Sequence, residues 1–247
     1  MLDPEVSFDY KMFCLGYFLN KAQDKLEDID ALNQFIDGFT TQYNQGELEA
    51  IYQSLPSVGK LKWHVFATQD TVLMKNIDFI KGNGDKPVMS SIGVNFQDVR
   101  QELLPLLKEM TEQYLASGMK QDDAQVEAFV QLLAQADEQY LSQYYADNQQ
   151  FLINYGLYVL YHEQFMMHKG LSLFDFFKVM AVQTLIFKVY MSAIAMKHKK
   201  LDKARVVKIY NAISRITQHK EQYLDSMLGE LKNSKCDSVA QILGLFK

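Results

Sequence analysis

The 247 residues, 28.6 kDa, are enough chain to bury a core, as one large domain or two small ones. Hydrophobic residues at 48% and charged residues at 22% exclude a disordered chain, and only 4 prolines and 12 glycines point to long helices. Two cysteines, Cys14 and Cys236, exclude a disulfide framework and a four-cysteine metal site.

Charge is divided unevenly. Residues 1–147 carry 11 Lys+Arg against 23 Asp+Glu (net −12), and residues 148–247 carry 14 against 7 (net +7), which recovers the overall −5. The basic part either docks on the acidic part or faces an anionic partner. Overall acidity argues against a dedicated nucleic-acid binder.

In chain order, apolar spacing through Phe13, Tyr17, Ala22 and Leu26 predicts a helix over 9–31. A second helix is expected over 29–44, capped by Asp28 or Asp30 and closed at the Asn44-Gln45-Gly46 turn. A short third covers 46–55 and stops at Pro56. A fourth runs from Trp63 to Ile80. Lys81-Gly-Asn-Gly-Asp-Lys-Pro87 is the strongest break in the chain. The expected organisation is therefore an acidic helical subdomain over 1–80, a loop over 81–94, and a second helical subdomain over 95–247 with a basic last third. One compact domain is the alternative.

Beyond the break, a helix through Met119 is expected, capped by Asn95 or Asp98, or starting at Leu103 or Leu104 so that Pro105 falls in its first turn, and another runs from about 122 to 145. Three long ones follow over 148–168, 172–197 and 202–232, and a short one over 238–245. The region Leu173–Met196 is the most apolar, but Asp175, Lys178, Gln183 and Lys188 interrupt it, so it predicts a buried helix rather than a membrane span. No strand pattern persists. The fold class is all-α, a bundle of roughly eight to ten helices around a long buried central helix. An acidic start and free thiols predict a cytoplasmic protein without a secretory leader.

The helix from Phe151 to His168 is apolar on nearly every side, which predicts a central position. Asn154, Tyr161 and His168 fall at i, i+7 and i+14, within about 40° of one another. This polar stripe reads either as a pocket wall that orients a ligand or as three hydrogen-bonded groups inside a bundle. His162 and His168 are six residues apart, the wrong spacing for a helical zinc pair, so no metal site is expected here. Arg215 and His219, four apart and opposite the apolar face of their helix, could hold one carboxylate or phosphate. The densest positive charge is Lys197, Lys199, Lys200, Lys203, Arg205 and Lys208, a candidate basic face that also suits a helix C-terminus. Few aromatics interleave with it, against nucleic acid. Glycine-rich phosphate loops and nucleophile elbows are missing, and Cys14 lies on an apolar face suited to packing.

Two segments resemble a known family. Phe151-Leu-Ile-Asn154-Tyr155-Gly-Leu-Tyr-Val-Leu-Tyr161 through Phe165 is similar to the "ENYL…YF…F" helix of FliB-type flagellin lysine N-methylases. Ile213-Ser214-Arg215-Ile-Thr-Gln218-His219, followed by Tyr223-Leu224, is similar to that family's "SR..EH…FL" helix. The likeness covers about the last hundred residues, and the earlier helices in general character. It implies transfer of methyl groups from S-adenosylmethionine to lysines of flagellin or another protein substrate, in the cytoplasm before export. Family members also carry a cysteine-rich N-terminal segment thought to hold an iron–sulfur cluster. With two cysteines 222 positions apart, this chain is expected to bind no such cluster, and reads as a C-terminal portion or a shortened relative. The residues marked for a pocket are Asn154, Tyr155, Tyr161, His168, Arg215 and His219. The competing readings are a non-catalytic helical module binding a small ligand or a partner protein and, less favoured, the sensor of a transcription regulator, against which the missing helix-turn-helix argues.

Overall fold

A computed structural model describes residues 6–56, 58–82, 123–162, 170–217 and 221–247. All its regular elements are helical, and no strand occurs among the described residues. The sequence-expected helix over 95–119 and all of the 81–94 break beyond Gly82 lie outside them.

Local chemistry sets the helix ends. Helix α1 (Phe8–Ala22) starts at Ser7, whose hydroxyl accepts the Tyr10 amide at 3.3 Å. It is shorter than its apolar spacing predicts. A 3-10 turn over Gln23–Lys25 closes it, and Asp28, in an extended conformation, starts α2 (Ile29–Asn44) by accepting the Ala31 amide at 3.0 Å. Gly46 enters the left-handed region (φ 75°) and opens α3 (Glu47–Ser54), which ends where Leu55 turns extended before Pro56. Helix α4 (Gly59–Gly82) covers the expected apolar stretch and adds a turn before it.

Helix α5 (Asp123–Ala136) runs through a π turn, Asp137–Leu141, into α6 (Ser142–His162), which bends at Asn148. The expected boundary between the 122–145 and 148–168 helices is this bend. Helix α7 (Leu173–His198) is capped by Ser172, whose hydroxyl accepts the Asp175 amide at 3.0 Å. Helices α8 (Lys203–Thr217) and α9 (Glu221–Asn233) occupy the stretch expected as one helix, with 218–220 outside the described residues. A capping box between Ser238 and Gln241 starts α10 (Val239–Gly244).

The chain divides into two units. The first comprises 1–58, 149–181 and 235–247, and the second 59–148 and 182–234. In the first, Met12 and Phe13 of α1 and Phe177 of α7 are buried. Tyr52 donates its hydroxyl to the Phe246 carbonyl at 2.6 Å, and the Phe246 ring lies 5.9 Å from that of Phe177. In the second, Trp63 and Phe66 of α4 meet Phe129 of α5 at 5.1 and 5.7 Å, and Tyr190 of α7 stands edge-on to Phe66 at 6.2 Å.

Helix α7 supplies the long buried helix. By length and composition it could cross a membrane, yet 89% of its most apolar window is buried inside the protein. The helix expected to be central, from Phe151 onward, is less enclosed where it is described: Phe151 and Ile153 are half-buried, and Gln150 and Asn154 are exposed.

One close approach tests the packing. A Cβ on Gly16 would stand 2.1 Å from the Phe177 ring and 2.7 Å from a Leu243 methyl. Gly16→Ala is therefore expected to destabilise the protein by about 1–3 kcal/mol through overpacking, although alanine favours helices. Chemical denaturation measures this, and an unchanged midpoint would show that Phe177 is not seated on Gly16.

Candidate functional site

The bend in α6 determines what the polar stripe can do. Asn148 leaves helical geometry (φ −131°, ψ 28°), and its amide donates to the Tyr144 carbonyl at 3.0 Å, satisfying a group that the bend frees. Beyond it, Asn154 is exposed and accepts from the Gln150 amide at 2.8 Å. The stripe is therefore not buried at its first member. Before it Gln150 is exposed while Phe151 and Ile153 are half-buried, surroundings that a helical wheel cannot distinguish from an interior face. Tyr155 and Tyr161 lie on α6 and Arg215 on α8, but their side chains fall outside the description, as do His168 and His219 entirely.

The basic run sits where α7 gives way to α8. Lys199 takes a left-handed conformation (φ 55°), turning the chain at a position glycine usually fills. Asp202 then caps α8, accepting the Arg205 amide at 3.0 Å and pairing with the Arg205 guanidinium. These contacts hold the Asp202 carboxyl below the ordinary aspartate range, the amide hydrogen bond first and the guanidinium charge after it. Lys197, Lys199, Lys200, Lys203 and Lys208 are exposed, and Arg205 is half-buried on Asp202. The expected basic face thus consists of lysines, with its arginine committed to a helix cap.

A buried polar group on α4 and α7 escaped the sequence reading. Asp70 is 2% exposed and accepts the Tyr190 hydroxyl, while the fully buried Gln69 donates to the Met227 carbonyl of α9 at 3.1 Å. Gln69 Oε1 and the Thr184 hydroxyl are buried without a hydrogen-bond partner among the described residues. The available signal was Gln69-Asp70 inside the apolar run from Trp63 to Val72. A carboxylate in such surroundings needs its hydrogen bonds, so Tyr190 positions it and ties α7 to α4.

The iron–sulfur cluster implied by the resemblance can be tested against the two thiols. Both are buried and neither is in a disulfide. Burial pushes the Cys14 thiol up to about 11, so it is protonated at neutral pH and suits neither metal ligation nor nucleophilic attack. Two thiols cannot provide four thiolates, so the residues do not fit the cluster. Among the described residues no group of three or more His, Cys, Asp or Glu could hold a metal ion.

The buried thiol makes a pH prediction. A folded-state value raised from 9.0 to about 11 means that the fold favours the neutral form. That stability is complete below about pH 9 and is lost as pH rises toward 11. Burial likewise raises Tyr52, from 10.0 to about 12, extending the loss to higher pH. The melting temperature is expected to fall progressively above pH 9, with a shallower fall between 9 and 11 in Cys14→Ala. Equal slopes in the two proteins would count against a desolvated Cys14.

A family model described as the FliB lysine N-methylase C-terminal domain matches residues 1–245, extending the likeness well beyond the last hundred residues. No curated protein and no solved structure matches. With nearly every residue inside that match, the chain belongs to the FliB lysine N-methylase C-terminal domain family.

Proposed function

We propose that this chain serves lysine methylation of flagellin in the cytoplasm, as the part of a FliB-type enzyme that handles the substrate or the methyl donor. The observation that carries the reading is the family match over residues 1–245. S-adenosylmethionine, when bound, supplies the methyl group. The residues to be tested are those of the two motif segments, Asn154, Tyr155, Tyr161 and His168 on one and Arg215 and His219 on the other.

The protein's share of such chemistry is electrostatic. Methyl transfer to lysine needs a neutral amine next to a cationic donor, and apolar aromatic surroundings both lower the amine's pKa and favour a delocalised cation. Cation–aromatic contacts of this kind are already present in the protein. Tyr144 and Tyr145 stand nearly perpendicular at 6.4 Å, and the Lys188 ammonium lies 5.8 Å from the Tyr145 ring centre. Aromatic faces on α6 thus accept a cation, which fits the chemistry of a sulfonium donor.

Titration calorimetry with S-adenosylmethionine, followed by mass spectrometry of flagellin incubated with protein and donor, tests the proposal. Saturable heat and methylated flagellin lysines are expected, both reduced at least tenfold in Arg215→Ala. Absence of heat and of any thermal shift would remove donor binding from this chain.

The lysines between α7 and α8 favour a second reading, a binding module for an acidic partner, because Lys199, Lys200 and Lys203 are exposed together. Replacing all three with alanine is expected to weaken binding of a poly-glutamate peptide several-fold at low salt, as measured by anisotropy. Unchanged affinity would dismiss the basic face.

A further inference from the structure

Helix α2 combines a strong apolar stripe with a complete lack of buried residues. Its stripe runs through Ile29, Leu32, Phe35, Ile36, Phe39 and Tyr43. One edge is covered: Phe35 and Phe39 lie 5.3 and 5.1 Å from Phe18 of α1. The other edge is open, with Ile29 72% and Ile36 39% exposed, and Leu26 47% exposed just before the helix. These are three of the five large hydrophobics exposed among the described residues, and they fall within eleven positions of one another. Scattered exposed leucines and isoleucines need no explanation, but a cluster on and just before one helix marks an interaction surface.

The charges beside this row say what covers it. Ile29 and Ile36, seven apart, lie within about 20° of each other around the helix, and Asp30 and Asp37 lie to one side of them at about 80–120°. With Asp24, Glu27 and Asp28, residues 24–44 hold five carboxylates against one cation, Lys25. That cation is engaged: its ammonium donates to the Lys21 carbonyl at 3.3 Å and lies 5.5 Å from the Phe35 ring centre. A second copy of this face would set like charges against each other.

We propose that the open edge of α2 docks an amphipathic helix of a partner protein, with an apolar seam flanked by lysine or arginine. A row at i and i+7 suits side-by-side helix packing, and the carboxylates select for basic flanks. This surface is independent of methyl transfer, so failure of either idea leaves the other standing.

The probe is a fluorescein-labelled synthetic peptide with leucines at helical third and fourth positions and lysines elsewhere, titrated into the full chain. Saturable anisotropy is expected, with hydrogen-exchange protection over residues 26–43. Both Ile29→Ser with Ile36→Ser and Asp30→Lys with Asp37→Lys should weaken binding at least tenfold, with circular-dichroism melts like the parent's. Four results would overturn the proposal: parent-like affinity in either double variant, equal binding of a peptide with glutamate in place of lysine, protection confined to other segments, or a dimer by light scattering that Ile29→Ser with Ile36→Ser dissolves.

Discussion

A helix that is apolar on every side must be enclosed on every side, and α7 imposes that requirement on this protein. Over Leu173–His198 the burial is nearly complete from Phe174 to Ala195, with half-buried exceptions only at Asp175, Lys178 and Lys188. Each unit meets the demand with its own aromatics. In the first unit Phe177 takes the space left by Gly16, and in the second Tyr190 sits edge-on to Phe66. Polar groups on α7 are then a liability that partners both near and far in the chain relieve, the Thr184 hydroxyl having none among the described residues. Asp175 and Lys178 pair at 2.9 Å, Ser192 returns its hydroxyl proton to the Lys188 carbonyl at 2.8 Å, and Tyr190 bonds to Asp70. The charges that distinguish this segment from a membrane span in sequence are the ones the fold partners or keeps half-exposed.

Features decided within a few residues were legible in the sequence. The caps at Asp28 and Ser238, the turn at Gly46 and the stop before Pro56 depend on neighbours three or four positions away, and the all-helical class follows from the spacing of apolar residues. Features decided by distant segments were not. Asp70 meets Tyr190 across 120 positions and Gln69 meets Met227 across 158. Gly16 looks like an ordinary helical glycine until Phe177 is placed on it. The helix at Phe151 shows the same limit from the other direction. Apolar residues around a wheel predict enclosure, but exposure at Asn154 depends on what is packed beside that turn. Around the candidate residues, the helical state of 151–162 and 213–217 was legible, while Asn154's contact with Gln150 and Arg205's commitment to Asp202 required coordinates.

The division of charge along the chain acquires a physical location. Acidic residues concentrate around the open edge of α2, and exposed lysines gather where α7 passes into α8. Neither group stabilises the fold much, because exposed ion pairs contribute about 0–1 kcal/mol and are screened by salt. Their consequence is in association, where a field of one sign beside an apolar row sets both the rate of encounter and the choice of partner. Arg205 shows why counting charges in sequence overstates such a field: a guanidinium bound to a capping carboxylate contributes little of its charge outward.

Family membership and the chemistry of the two thiols are separate matters in this chain. A four-thiolate cluster working with this domain would need ligands from outside these 247 residues, since Cys14 is protonated in the core and Cys236 is buried beside α10 in sequence. Methyl transfer from a sulfonium involves no change in redox state, so nothing in the transfer itself calls for those thiols. What it does call for is a desolvated amine, aromatic faces for a cation and polar groups that fix orientation. These are residues that a helical bundle can supply from its own tyrosines and amides. Among the described residues, lysine ammoniums already rest on the Tyr52 ring at 4.9 Å and on the Tyr145 ring at 5.8 Å, so tyrosine faces in each unit accept a cation.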